Sequence, residues 1–255
     1  DAAAMQARLA ATAAHEPFWQ QLLETQDALE LPVIDRTSIA AGAVTGSTYS
    51  NVDVAAPAAL DESQRLATVL AWLARCADKN EFDIGFGVPA DSVGVWAAQV
   101  PWRANIDFTR GLNTLAAHCA AQQQDLLRRG GYLRDLVARR PDLRARAVQR
   151  DPRVLPVALL LVDQLDDARA EPGSELTIAL ARVGSASRWF FDAAKLGAAQ
   201  VAQLQQQWLA LTHAAAAAPE RALAELPLMD ATLQQRVLHD WNAARADGQP
   251  QSCVH

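Results

Sequence analysis

The sequence has few cysteines, no long apolar run and no excess of positive charge. Its three cysteines, Cys76, Cys119 and Cys253, lie far apart without CxxC spacing, which disfavours a disulfide framework and favours a reducing compartment. The best candidate for a membrane segment, residues 155–162, has only the length of a strand, whereas a bilayer span needs about 20 apolar residues. The formal net charge is −6, so no basic field points to nucleic acid. We therefore expect a cytoplasmic protein that binds neither membranes nor nucleic acid.

Common catalytic and metal-binding motifs are also missing. None of the five histidines lies at metal-ligand spacing from another histidine, a cysteine or an acid. The GxSxG, Walker and dinucleotide-binding glycine patterns do not occur. Gly85 and Gly87 form a lone glycine pair, which we interpret as a turn or a sheet edge. The sequence therefore predicts no catalytic residue, no metal site and no cofactor bound by this chain.

Helical and strand patterns alternate along the chain. Hydrophobic residues make up 51% and charged residues 20%, as in globular proteins. Alternating or continuous apolar runs predict strands over residues 45–54, 82–87, 100–106, 154–162, 176–183 and 188–191. Helical spacing predicts helices over residues 2–24, 61–77, 112–129 and 197–218. This mixture predicts an α/β fold in which helices cover a mixed sheet.

Local signals predict several helix boundaries. Asp61 and Gln64 have the spacing of a reciprocal cap at a helix start. We expect Pro17 to interrupt the first helix. The glycines at 130 and 131 should end the helix before them. A short helix from Tyr132 should then stop before Pro141.

Arginine and tryptophan are the two residue types whose placement invites a functional interpretation. Nine arginines lie between positions 128 and 153, against three aspartates. They form either a solvated helical face or a surface for an acidic partner, such as a carrier protein or phosphate. Trp72, Trp102 and Trp208 lie on apolar faces and are predicted to be core residues.

The C-terminal part of the sequence resembles the junction between the condensation and adenylation domains of nonribosomal peptide synthetases. Residues 223–230 read LAELPLMD, residues 233–242 read LQQRVLHDWN, and residues 252–255 read SCVH. In that family an apolar segment with a proline leads into a short helix ending in Trp-Asn, and a motif ending in histidine opens the adenylation domain. The resemblance divides the chain into a condensation-domain lobe over residues 1–219 and a linker over residues 220–255. It implies a domain interface formed by Leu226, Leu228, Leu233, Leu238, Trp241 and Asn242.

Further segments resemble the C-terminal lobe of a condensation domain. Residues 18–19 and 29–32 resemble the start of that lobe, residues 82–87 and 93–103 resemble its first hairpin, and residues 174–193 resemble its late strand pair. The resemblance implies one lobe of a chloramphenicol-acetyltransferase-like fold. Two features of the family are missing from the sequence. These are the HHxxxDG motif, whose second histidine helps the amine attack the thioester, and the Gly-Arg and Asn-Thr pairs after the first hairpin strand.

Two functions follow from this resemblance. The first is a truncated, non-catalytic lobe that acts as a platform for an adjoining adenylation domain in a synthetase of antibiotic or siderophore biosynthesis. The second is one lobe of an active condensation domain, which forms peptide bonds between substrates on the phosphopantetheine arms of carrier proteins. A peptidyl carrier protein is therefore a further expected partner. An unrelated interaction domain is the third alternative, and a lobe that normally packs on a partner is expected to self-associate.

Overall fold

The computed structural model describes residues 2–34, 48–88 and 94–229. Its helices are α1 (Ala2–Glu24), α2 (Glu62–Ala77), α3 (Leu112–Arg129), α4 (Leu136–Arg139), α5 (Pro141–Gln149) and α6 (Ala198–Ala217). Its strands are β1 (Tyr49–Ala55), β2 (Glu81–Gly87), β3 (Gln99–Asn105), β4 (Val157–Val162), β5 (Leu176–Ala181) and β6 (Ala186–Asp192). Short 3-10 turns occupy Leu165–Asp167 and Leu223–Glu225.

The six strands form one mixed sheet in the order β1-β6-β5-β4-β2-β3. Strand β4 runs parallel to both of its neighbours, β2 and β5, whereas the three outer pairings are antiparallel. Each predicted strand region overlaps one strand of this sheet, with ends that differ by up to four residues, and residues 45–47 of the first region lie outside the described residues. The prediction of a mixed sheet covered by helices is therefore confirmed.

The start of α2 confirms the predicted reciprocal cap. The backbone N–H of Gln64 donates to the Asp61 carboxylate at 2.8 Å, and the Asp61 N–H donates to Gln64 Oε1 at 3.1 Å. Both bonds satisfy N–H groups that have no partner inside the helix. The helix ends at Ala77, and the left-handed backbone of the cap residue Asp78 (φ 51°) turns the following N–H, that of Lys79, back to the carbonyl of Ala74 at 3.0 Å.

Two helix predictions were wrong. Pro17 does not interrupt α1, which continues to Glu24. Pro17 and Ala13, the residue four positions before it, are both exposed, so water can hydrate the carbonyl that the proline leaves without a donor. The helix predicted from Tyr132 begins only at Leu136 and is the single turn α4. Its end at Arg139, before Pro141, is as predicted, and Pro141 begins the separate helix α5, where a first-turn residue needs no N–H.

One face of the sheet, which we call the helix-covered face, holds the main apolar core. Trp189 of β6 lies between Trp72 of α2 and Trp208 of α6, with ring centroids 5.2 and 5.7 Å apart, and all three side chains are fully buried. The Trp208 indole N–H donates to Thr68 Oγ1 at 3.2 Å. Trp102 is buried as well, so the predicted core positions of Trp72, Trp102 and Trp208 are confirmed.

The opposite face, which we call the loop-covered face, is closed by the connection between β4 and β5. Ala168 in this connection packs in a small buried cluster with Ala179 and Phe190. Arg188 of β6 holds the connection by an ion pair to Asp166, and it also pairs with Asp53 of the neighbouring strand β1. This face thus has little apolar area and many polar links.

The pair Gly85 and Gly87 lies inside β2, between β4 and β3, so its interpretation as a turn or sheet edge was wrong. A Cβ atom on Gly85 would lie 2.4 Å from the Gln99 side chain, and one on Gly87 would lie 2.5 Å from Leu160 Cδ2. Close approach of these side chains across the sheet is the reason for both glycines.

Candidate domain interface

The chain that leaves α6 packs back onto the lobe, and we call residues 219–229 the anchored segment. Leu223 and Leu226 are fully or almost fully buried, and Leu228 is partly buried against the same core. The anchored segment is the first part of the predicted linker. Its apolar side chains bind it to α2 and α3 before the chain reaches position 230.

Backbone hydrogen bonds fix the register of the anchored segment. The N–H of Leu223 donates to the carbonyl of Arg110 at 2.9 Å, and the N–H of Ala224 donates to the carbonyl of Phe108 at 3.0 Å. Gly111 allows the close approach, since a Cβ atom there would lie 2.5 Å from the carbonyl oxygen of Pro219. The segment is thereby held against the turn that precedes α3.

Arg75, in the last turn of α2, binds the anchored segment through side-chain hydrogen bonds. Its Nη1 donates to the carbonyl oxygens of Leu223 at 3.2 Å and Leu226 at 2.8 Å. A charged donor makes stronger hydrogen bonds than a neutral one. Asn113 adds a further link, since its Nδ2 donates to Glu220 Oε1 at 2.6 Å.

Leu228 lies at one wall of a groove of about 300 Å³ between α2, α6 and the chain at Pro32. Glutamines supply much of the lining: Gln200 donates to the carbonyl of Val33 at 3.1 Å, and Gln207 accepts from the Cys76 thiol at 3.6 Å. Burial raises the pKa of the Cys76 thiol to about 12, so this cysteine stays protonated and is a poor nucleophile near neutral pH. The groove therefore offers amide hydrogen bonding and a partly apolar wall, but no reactive group.

The structure brings Leu226 and Leu228 together with this anchoring network. Leu233, Leu238, Trp241 and Asn242 lie outside the described residues. Sequence reasoning missed Arg75, Gly111 and Asn113. The sequence shows only that Arg75 is a basic residue near the C-terminus of a predicted helix. That position indicates a favourable interaction with the helix dipole, and it does not indicate a contact about 150 residues away.

Two neighbouring residues of α3, His118 and Cys119, carry side chains that are capable of acid–base or thiol chemistry. His118 lies exposed on α3 beside a groove of about 630 Å³ that Trp102 and Leu126 also line. Cys119 is buried, which raises the pKa of its thiol to about 12. Across residues 2–34, 48–88 and 94–229, no three histidine, cysteine or acidic side chains come together as metal ligands.

The arginine-rich stretch is largely engaged within the molecule. Arg139 and Arg140 bind the two oxygens of Glu16 at 2.9 and 3.1 Å, and Arg146 donates to the carbonyls of Glu24 and Gln26 at 2.8 and 2.6 Å. Further members of the stretch form ion pairs, namely Arg128 and Arg129 with Asp125, Arg150 with Glu30, and Arg153 with Asp151. Many of these arginines therefore fasten α1 and its following chain to α4 and α5.

Within the described ranges, no helix combines the length and the apolar character needed to cross a membrane.

Comparison with known proteins identifies the fold. No protein-family profile matches the chain, and no curated protein sequence matches it. Among solved structures, the starter condensation domain of the rhizomide synthetase RzmA aligns with a TM-score of 0.57 at 17% identity, covering 87% of this chain and 54% of that domain. A variant of that domain in complex with C8-CoA and Leu-SNAC aligns with a TM-score of 0.57 at 16% identity, covering 87% of this chain and 56% of that one.

A larger protein aligns with a higher score. The holo form of AB3403, a four-domain nonribosomal peptide synthetase bound to AMP and glycine, has a TM-score of 0.65 at 13% identity, covering 86% of this chain and 20% of that one. The present chain thus spans about half the length of the condensation domains that it matches. It has the chloramphenicol-acetyltransferase-like α/β fold of nonribosomal peptide synthetase condensation domains, over about half of such a domain.

Proposed function

We propose that this chain is the C-terminal lobe of a condensation-like domain and acts as a non-catalytic platform for an adjoining adenylation domain. The observation that carries the proposal is the anchored segment. A flexible linker would leave the orientation of the next domain undefined, whereas a segment bound by Arg75 and by two buried leucines leaves the lobe at a defined point. The lobe would then act mechanically, by orienting its neighbour.

The likeness to AB3403 supports this proposal at the level of architecture. That synthetase has four domains and binds AMP and glycine, which are ligands expected of an amino-acid-activating domain. If the present chain occupies the equivalent place in its own polypeptide, an adenylation domain follows His255 and residues 228–242 form the contact, because Leu226 is already buried against this chain's own core. A peptidyl carrier protein would be the next partner, although the arginine-rich stretch that suggested it is largely engaged in internal ion pairs.

A second function is the second lobe of an active condensation domain that joins carrier-bound substrates. Its support is that the chain covers about half of each matched condensation domain, so that another lobe would complete it. Acyl transfer to an amine needs both substrates held in reacting geometry and a group that assists the attacking nitrogen. The sequence has no HHxxxDG motif, so this group would have to come from elsewhere in the polypeptide.

The platform proposal is tested with the native polypeptide that contains this chain. Replacing Arg75 by Met removes both hydrogen bonds to the anchored segment while keeping much of the side-chain volume. We expect the half-life of adenylation activity at elevated temperature to fall several-fold in the Arg75→Met protein. Arg221→Met is the matched control, because Arg221 lies in the same segment but pairs only locally with Glu225. Equal half-lives for all three proteins, or a native polypeptide without adenylation activity, would exclude the platform function.

The two functions are separated by N-terminal peptide mapping of the native polypeptide and by a condensation assay with carrier-loaded substrates. A preceding lobe with HHxxxDG, together with peptide-bond formation that is lost on mutation of that motif, would establish the enzyme function. A polypeptide that begins near Asp1 and shows no condensation would support the platform.

A further inference from the structure

The two edges of the sheet differ in how their backbone groups are protected. Strand β3 forms one edge, and it contains Pro101, which has no N–H to offer. Gln122 of α3 covers the same strand, since its Nε2 donates to the carbonyl of Arg103 at 3.2 Å. Proline and side-chain coverage are recognised ways in which proteins block pairing at a sheet edge. Pro101 and Gln122 together therefore block pairing with a further strand at the β3 edge.

Strand β1 forms the other edge, and in the part of the chain that the structure describes it has neither a proline nor a side chain bonded to its outward backbone groups. Its seven residues, YSNVDVA, include no proline and no lysine. Asn51, Val52 and Asp53 at its centre are exposed. Within residues 2–34, 48–88 and 94–229, β6 is the only strand that pairs with β1.

The register with β6 shows which backbone groups of β1 point outward. Ala193 N–H donates to the carbonyl of Thr48, and Ala56 N–H donates to the carbonyl of Ser185. Hydrogen-bonded pairs alternate along an antiparallel ladder, so the even-numbered residues from 48 to 56 face β6. The N–H and C=O groups of Tyr49, Asn51, Asp53 and Ala55 therefore point away from the sheet.

We infer that β1 is an interaction surface for a second copy of this chain, pairing antiparallel with the same strand about a two-fold axis at Val52. In this register Asn51 of each copy forms hydrogen-bonded pairs with Asp53 of the other, and Tyr49 does so with Ala55. The two Val52 side chains meet at the axis as a pair without mutual hydrogen bonds. All seven residues of β1 are used, and the two six-stranded sheets become continuous.

Charge and overlap favour this register over its neighbours. It places each Asp53 carboxylate opposite an Asn51 amide, which can donate hydrogen bonds to it. A register displaced in one direction would set the two Asp53 carboxylates directly opposite each other, so that each, although held by Arg188 of its own chain, would meet no hydrogen-bond donor across the contact. Displacement in the other direction would leave Ala55 opposite the chain before β1. The strand is thus most complementary to itself when Val52 meets Val52, and this is the argument for a second copy as the partner.

The register is tested by cysteine cross-linking in the full chain, with Cys253 replaced by Ser. A pair without mutual hydrogen bonds in an antiparallel ladder has its Cα atoms about 4.5 Å apart, within the range that a disulfide spans. Val52→Cys should form a covalent dimer when glutathione disulfide is added. Ser50→Cys is the control, because residue 50 faces Val54 of the other copy. A mixture of Ser50→Cys and Val54→Cys chains should cross-link again.

Cross-linking that is equal at positions 50 and 52, or absent at 52, would overturn the proposed register. Sedimentation velocity of uncross-linked protein tests the pairing itself. We expect a concentration-dependent dimer that Asn51→Asp weakens at least tenfold in low salt, by facing Asp53 with a second carboxylate. Asn51→Lys should strengthen the dimer. A monomer at every concentration, or a dimer that none of these changes affects, would exclude β1 as the contact.

Discussion

The two faces of the central sheet are stabilised in different ways. On the helix-covered face, Trp189 packs between two other buried tryptophans under α2 and α6. On the loop-covered face, the adjacent residue Phe190 has only a small apolar cluster, and Arg188 holds the covering chain through an ion pair to Asp166 and a hydrogen bond to the carbonyl of Leu165. The stabilisation from apolar burial scales with the buried area and is not screened by salt, whereas the attraction between exposed ion pairs is screened. Thermodynamic stability should therefore come mainly from one face.

The largest expected change in the free energy of unfolding comes from removing the central tryptophan, Trp189. Trp189→Ala should lower the free energy of unfolding by about 4 kcal/mol, since it removes a fully buried indole between two aromatic neighbours. Phe190→Ala, one residue further along β6 and on the opposite face, should cost about 2 kcal/mol because its cluster is small. Urea unfolding of both variants measures the difference. Equal losses would contradict the contrast between the faces.

A buried ion pair on the loop-covered face should give the next largest effect. The Asp83 carboxylate is fully buried and accepts hydrogen bonds from Arg103 Nε at 3.0 Å, Arg103 Nη2 at 2.9 Å and the Asp27 N–H at 2.7 Å. Asp83→Ala removes the ion pair and these three hydrogen bonds, while the partly exposed Arg103 keeps its hydrogen bonds to Thr25, and we expect a loss of about 3 kcal/mol. The exposed pair of Arg150 with Glu30 is the comparison, and Arg150→Ala should cost less than about 1 kcal/mol.

The smallest expected effect is an increase in the free energy of unfolding that depends on pH. Burial raises the pKa of the Glu171 carboxyl in the covering loop, so the folded protein binds this proton more tightly than the unfolded chain does. Stability from this group is therefore greatest below its unfolded pKa of about 4.5 and falls as pH rises through the raised folded pKa. Glu171→Gln should raise the free energy of unfolding at pH 7 by about 0.5 kcal/mol and leave it unchanged near pH 3. Thermal unfolding at both pH values measures this effect, and a loss at pH 7 would be the contrary result.

Most secondary structure of the lobe was predictable because local signals there agree with the tertiary environment. The cap formed by Asp61 and Gln64 acts within four residues, so its geometry is independent of the rest of the fold. Pro17 was misinterpreted because its cost depends on solvent access to a neighbouring carbonyl, which no local pattern records. Gly85 and Gly87 were misinterpreted for a similar reason, since the side chains that require them come from other strands.

The residues of the candidate interface can likewise be divided into those that the sequence predicted and those that it did not. Leu226 and Leu228 were predicted, from a resemblance in the linker sequence, to contact a following domain; in the structure both pack against this chain's own core. Arg75 was not predicted, because the carbonyls that it binds lie about 150 residues further along the chain. The arginine-rich stretch was visible as a cluster of charge, but its partners on α1 lie more than 100 residues away.

By itself, the sequence determined the α/β class, the periodicity of the main helices and strands, and the residues at which several of them begin and end. These properties depend on contacts within a few residues and on the alternation of apolar side chains. Only the tertiary structure decided the strand order, the difference between the two sheet edges, and the anchoring of residues 219–229. Those features depend on which distant segments meet, and that is set by how the whole chain buries its apolar surface and satisfies its backbone hydrogen bonds.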